Sequence, residues 1–122
     1  MTEIQKLKQY DLEERTFKFA KMVRNFVKEL TKSIGNIEDG KQLVRASGSV
    51  GANYIEANES LSKKDFLMRI KICRKEAKES GLWVDLVEVG ENLEMESWRS
   101  DLYKESKELC CIFGSIVTKA SQ

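Results

Sequence analysis

The residues whose types and spacing could do chemistry lie on two stretches of the chain. Between positions 45 and 56, Arg45, Ser49, Ala52 and Glu56 fall within about 60° of one another on a helical wheel, with Asn53 beside them. Farther on, Glu76 and Glu79 stand one helical turn apart. Lys64, Lys71, Arg74, Lys75 and Lys78 gather on a face roughly opposite Phe66, Ile70 and Cys73. Two carboxylates one turn apart suit acid–base work only when a nucleophile or metal joins them. Here nothing does. The chain has no histidine, which removes Ser-His-Asp triads, Cys-His dyads and His-Glu-x-x-His metal motifs together. Its three cysteines include the neighbours Cys110 and Cys111 and form no Cys-x-x-Cys pair. They read as buried thiols in a reducing compartment. No glycine-rich phosphate loop is present. The expectation is a protein with no catalytic residues, no metal site, no cofactor and no small-molecule substrate.

The chemistry that remains is ion pairing. If the helices carrying the two stretches are antiparallel and turn near Leu61, Arg45 stands level with about Ala77. It then pairs with Glu76, Glu79 or both, partly buried, while Ser49 and Asn53 complete the hydrogen bonding. Loss of one partner from such a pair strands a charge at a cost of about 3–5 kcal/mol. The basic row from Lys64 to Lys78 has two readings: an ordinary solvated face, or a strip that contacts the phosphates of RNA or DNA. A formal charge of +1 argues against a protein that coats nucleic acid by bulk charge but leaves room for a local strip. No aromatic residue interleaves with the lysines to stack on bases.

These residues must be held by helices. At 122 residues the chain suits one domain, 1–122. It contains no proline, so nothing breaks a helix by a missing N–H. Asp11 with Glu14 has capping-box spacing and predicts a first helix over about 11–31, with Leu12, Thr16, Phe19, Ala20, Val23, Phe26, Val27 and Leu30 on one face. Thr31–Ile37 reads as a loop with Gly35 as the breaker. A second helix spans about 38–59, capped by Asn36. Its middle carries the small residues Ser47, Gly48, Ser49, Gly51 and Ala52, at a cost of roughly 0.5–1 kcal/mol per glycine. Either a neighbouring backbone approaches closely there or a loop divides two short helices. The stripe Leu43, Ala46, Val50, Tyr54 and Ala57 runs through it and favours one helix. Ser62 with Asp65 opens a third helix, about 63–89, and Ser97 caps a fourth, about 97–120. The fold class is all-α, an up-down-up-down antiparallel four-helix bundle. The charged start Met1–Tyr10 and the absence of an apolar run of ~18 residues predict a cytoplasmic protein with no membrane partner. Leu82, Trp83, Leu86 and Val87 widen the third helix beyond one core stripe, as a wide wrapped face or as a subunit interface.

The block Arg45-Ala-Ser-Gly-Ser-Val-Gly-Ala-Asn-Tyr-Ile-Glu-Ala57, followed by Lys64-Asp-Phe and by Lys75-Glu-Ala-Lys-Glu-Ser80 with Trp83, resembles the four-helix-bundle family of 23S rRNA intervening-sequence proteins. The stretches Asp11–Ala20 and Glu108–Val117 look like the start and end of the same family, and accessory variability proteins of diversity-generating retroelements are relatives. The resemblance implies a homopentameric ring without enzymatic activity. In the retroelement relatives a basic ring binds nucleic acid and a reverse transcriptase. Two departures are visible: Leu82-Trp83-Val84 replaces an aromatic-Trp-Leu run, and the charge is near neutral. The expected function is a non-catalytic, self-associating scaffold that binds RNA or DNA through its basic face. The alternative is a protein-interaction adaptor without nucleic-acid binding.

Overall fold

The computed structural model describes the backbone of residues 3–122 and side chains from Leu12 onward. Four helices follow one another: α1 (Glu3–Glu29), α2 (Ile34–Asn58), α3 (Lys63–Leu86) and α4 (Leu93–Ala120). Each packs on two neighbours, in the cyclic order α1, α2, α3, α4. Every adjacent pair is antiparallel. Residue 16 meets 51 across α1 and α2, 45 meets 76 and 79 across α2 and α3, 81 meets 106 across α3 and α4, and 15 meets 105 across α1 and α4. The fold is therefore the expected all-α, up-down-up-down bundle.

The apolar stripes meet along its axis. Phe19, Val23, Phe26, Leu43, Val50, Ile70, Leu102, Leu109 and Phe113 are fully buried. The Tyr54 and Phe113 rings meet between α2 and α4, toward the α2–α3 turn, with centroids 5.7 Å apart. The Phe26 and Trp98 rings meet edge to face at 5.6 Å near one end. Thr16, Ser47, Ser80 and Ser106 sit in this apolar setting without strain, because each hydroxyl donates to a carbonyl three or four residues back in its own helix.

Helix ends depart from the pattern reading in several places. α1 begins at Glu3, not Asp11; residues 3–10 hold neither glycine nor proline, so nothing ends the helix there. The Asp11 side chain lies outside the described residues. α2 begins at Ile34: Ser33 is its N-cap and accepts from the Asn36 N–H at 3.1 Å, which puts Gly35 inside the first turn. Asn36 has another role. Its side-chain amide donates to Thr31 O at 3.0 Å and Glu88 O at 2.9 Å, and its Oδ1 accepts from Glu88 N at 2.9 Å. It thereby ties the α1–α2 loop to the α3–α4 loop. Ser62 does cap α3, accepting from Asp65 N. α3 ends at Leu86, and Gly90 (φ 64°) reverses the chain in the left-handed region. α4 starts at Leu93 under an Asn92 cap, with Ser97 already inside the helix.

Candidate functional site

α2 runs unbroken through its small residues, and a neighbouring backbone comes near at Gly51, whereas Gly48 faces only a guanidinium. The neighbour across the glycines is α1. A Cβ on Gly51 would stand 3.2 Å from Thr16 Oγ1, and one on Gly48 would stand 3.0 Å from Arg24 Nη2. Arg24 lies across this seam, donating to Ala20 O at 3.0 Å and reaching Val44 O at 3.4 Å.

The other flank of α2 meets α3, and the polar line divides there into two clusters. In the first, Arg45 stands 3.7 Å from Glu76 Oε2 and 3.7 Å from Glu79 Oε2. The burial within this pair is lopsided: the Glu76 side chain is 9% exposed and that of Arg45 56%. Arg45 is thus a largely solvated cation held over a buried carboxylate, and Glu76 Oε2 accepts no hydrogen bond among the described residues. In the second cluster Asn53 donates to Ser49 O at 2.9 Å and to Ser49 Oγ at 3.0 Å, while its Oδ1 accepts from Arg69 Nη1 at 2.9 Å. Ser49 and Asn53 therefore serve Arg69, not Arg45. Glu56 is exposed and joins neither cluster. Arg69 could have been found from sequence, because it lies one turn before Cys73 on the flank that an antiparallel partner turns toward α2. A second buried atom without a described partner, Trp83 Nε1, lies two turns beyond Glu76 on the same helix.

A third cluster had no signal in the spacing of residues along the chain. Arg15 forks onto Glu105, with Nε and Nη2 each donating at 2.7 Å, and adds Glu108 at 2.6 Å across α1 and α4. Arg99 pairs with Glu96 and donates to Val87 O at 2.8 Å.

The basic row occupies the outer face of α3. Lys64, Lys71, Arg74, Lys75 and Lys78 are all exposed. They span about 100° of the helix and, at 1.5 Å per residue, about 21 Å of its length. The Arg74 stem passes over Gly114 of α4. None of the five makes an ion pair with a described residue; the same holds for Lys21, Lys28, Lys32, Lys63, Lys104, Lys107 and Lys119, whereas Arg15, Lys18, Lys41, Arg45 and Arg99 do pair, and what sets the five apart is their shared face. Half-exposed Met68, Leu82 and Leu86 border the row.

Of the cysteines, Cys73 is buried, Cys110 is half-buried and Cys111 is exposed, so the reading of all three as buried thiols is corrected for Cys111. Burial pushes the Cys73 thiol up to about 12 from its ordinary 9.0; its Sγ lies 3.4 Å from Val50 O. Burial likewise raises the Tyr54 phenol. Among the described residues no group of three or more acidic or cysteine side chains could hold a metal ion. No described helix is long and apolar enough to cross a membrane.

No curated protein matches the chain. A solved structure similar to it is the crystal structure of a protein with unknown function from the S23 ribosomal protein family of Bacteroides thetaiotaomicron VPI-5482. The two are 27% identical and superpose with a TM-score of 0.72 over 86% of this chain and 96% of that one. The model of the 23S rRNA-intervening sequence protein family matches residues 8–114, a span that contains α2, α3, both of their polar clusters and the basic row. This four-helix chain belongs to the 23S rRNA-intervening sequence protein family.

Proposed function

We propose that the protein is a non-catalytic, self-associating scaffold that holds RNA or DNA through the outer face of α3. The observation that carries this reading is the row of five exposed cations with no carboxylate partner among the described residues. In a chain of formal charge +1, such a row is balanced by acidic surface elsewhere, so a local phosphate site coexists with a neutral whole. A family described by an rRNA intervening sequence agrees with a nucleic-acid ligand. Self-association is supported by Met68, Leu82 and Leu86, apolar groups left half-exposed on the same helix. Five copies in a ring is the assembly that the resemblance implies, and kinship with the retroelement accessory proteins belongs to the same reading. Repetition of a weak strip around a ring raises avidity without any single strong site. A cytoplasmic location is part of the same proposal.

Light scattering tests the scaffold, with an expected mass several times the 14.0 kDa chain. RNA binding followed against salt tests the ligand. Affinity should fall steeply as salt rises and collapse when Lys71, Lys75 and Lys78 become Glu. A single-chain mass refutes the scaffold. Binding indifferent to salt and to these changes, or directed at a protein, favours the adaptor reading.

A further inference from the structure

We infer that the basic face of α3 takes the paired backbone of a nucleic-acid duplex and not a single strand; this rests on the phosphate-contacting role proposed above. The row is straight and stiff. From Lys64 to Lys78 it contains neither glycine nor proline, and Ile70, Cys73 and Ala77 beneath it are fully buried between α2 and α4. A duplex carries one phosphate charge per ~1.7 Å of axis, so a ~21 Å length holds about a dozen phosphates around its axis, of which those on the near side face the row. A duplex is also stiff over ~150 base pairs, so it meets such a row without being ordered first.

A single strand must be straightened to follow the row. Proteins that take single strands offset that ordering by stacking bases on aromatic rings, at about 1–3 kcal/mol per base. No such platform borders this face. The aromatic residues of α3, Phe66 and Trp83, are only half-exposed and lie on other faces of the helix. The exposed Phe17 is on α1, and the Tyr103 ring of α4 is already capped by Lys107 Nζ at 5.4 Å from its centroid. The row also has no Asn or Gln to read base edges, so the duplex is read by its backbone, without sequence preference.

The test is fluorescence anisotropy on the full chain, with an RNA duplex of about 20 base pairs, the DNA duplex of the same sequence, and the separated strands of each, at about 50 and 200 mM salt. The expected result is that a duplex binds at least about tenfold tighter than its strands, since the strands gain no stacking here. Affinity should fall by up to about 500-fold between the two salts if five phosphates are neutralised. Whichever duplex binds tighter identifies the source of the backbone and supports the inference equally. Lys71→Glu/Lys75→Glu/Lys78→Glu should abolish binding. Lys18→Glu/Lys32→Glu/Lys41→Glu, with the same change in net charge, should keep most of it. Strands that bind as tightly as the duplex overturn the duplex inference and leave the proposed function standing. No binding to any probe overturns both. Equal loss in the control variant overturns the placement on α3.

Discussion

Substitution of Gly81 tests how closely α3 and α4 approach. A Cβ at this buried position stands 2.8 Å from Ser106 Oγ, with Ser106 Cβ next at 3.7 Å and Tyr103 Cε2 at 3.9 Å. The single overlap is therefore with one oxygen. Alanine gains about 1 kcal/mol in helix propensity over glycine. Against this, the Ser106 hydroxyl must leave its 2.7 Å bond to Tyr103 O, a loss of about 1 kcal/mol, and overpacking adds about 1–3 kcal/mol. Gly81→Ala is expected to destabilise by about 1–3 kcal/mol, a fall in Tm of roughly 4–12 °C. Ser106→Ala alone should be near neutral, because the lost bond is offset by better helix propensity. The double variant removes the oxygen that the added methyl group meets. It should recover to at least the parent's stability, a coupling of about 1–3 kcal/mol. Urea unfolding followed by far-UV circular dichroism measures all four proteins, at one protein concentration because association is linked to stability. A Gly81→Ala variant as stable as the parent, or a double variant no better than the single, refutes this close approach of α4 to α3.

Three further outcomes follow from the described contacts. Asn36→Ala removes the side chain that joins Thr31 O, Glu88 O and Glu88 N; with the last of these left unpartnered, denaturant unfolding should show a loss of about 2–3 kcal/mol. Arg45→Ala should cost about 1 kcal/mol, below the 3–5 expected of a fully buried pair, because the guanidinium is largely solvated and 3.7 Å from each carboxylate; a loss above about 3 kcal/mol contradicts the solvated geometry. The Cys73 thiol, raised to about 12 when folded, stays protonated after an unfolded thiol has ionised. Its contribution is complete below pH 9.0 and is lost as pH climbs toward 12, at about 1.4 kcal/mol per pH unit. Cys73→Ala should remove that part of the slope, and thiol titration of the native protein should modify Cys111 at once and Cys73 only on unfolding.

The core was legible because burial imposes a 3.6-residue period that few other arrangements share. The stripe Leu43, Ala46, Val50, Tyr54 and Ala57 carried α2 through its glycines, and these residues are buried as that period requires. Helix starts were less legible, since several short polar residues compete for each. Asp11 with Glu14 and Ser97 each have capping chemistry, yet the chain is helical on both sides of them. The level of Arg45 against Glu76 and Glu79 followed from counting back from one turn. What that counting could not supply was depth. Rotation of α2 by a fraction of a turn decides whether Arg45 or Arg69 collects Ser49 and Asn53, and rotamers decide which guanidinium stays wet. The glycine partner, α1, and the Arg15 fork onto α4 depend on cyclic packing among distant segments and leave no periodic trace.

The Asn36 junction also sets an order of opening. One side chain from the first turn of α2 bonds to both interhelical loops at its end of the bundle, so the α1–α2 hairpin and the α3–α4 hairpin are latched there. At the opposite end the hairpins are joined by the α2–α3 turn, with Leu61 99% exposed, and the Asn53–Arg69 and Arg15–Glu105 contacts lie farther in. Amides of the exposed turn, residues 59–62, should exchange with solvent sooner than those flanking Asn36 and Glu88. Because each hairpin carries one half of the latch, a chain nicked at Leu61 keeps the contact that returns the halves to register.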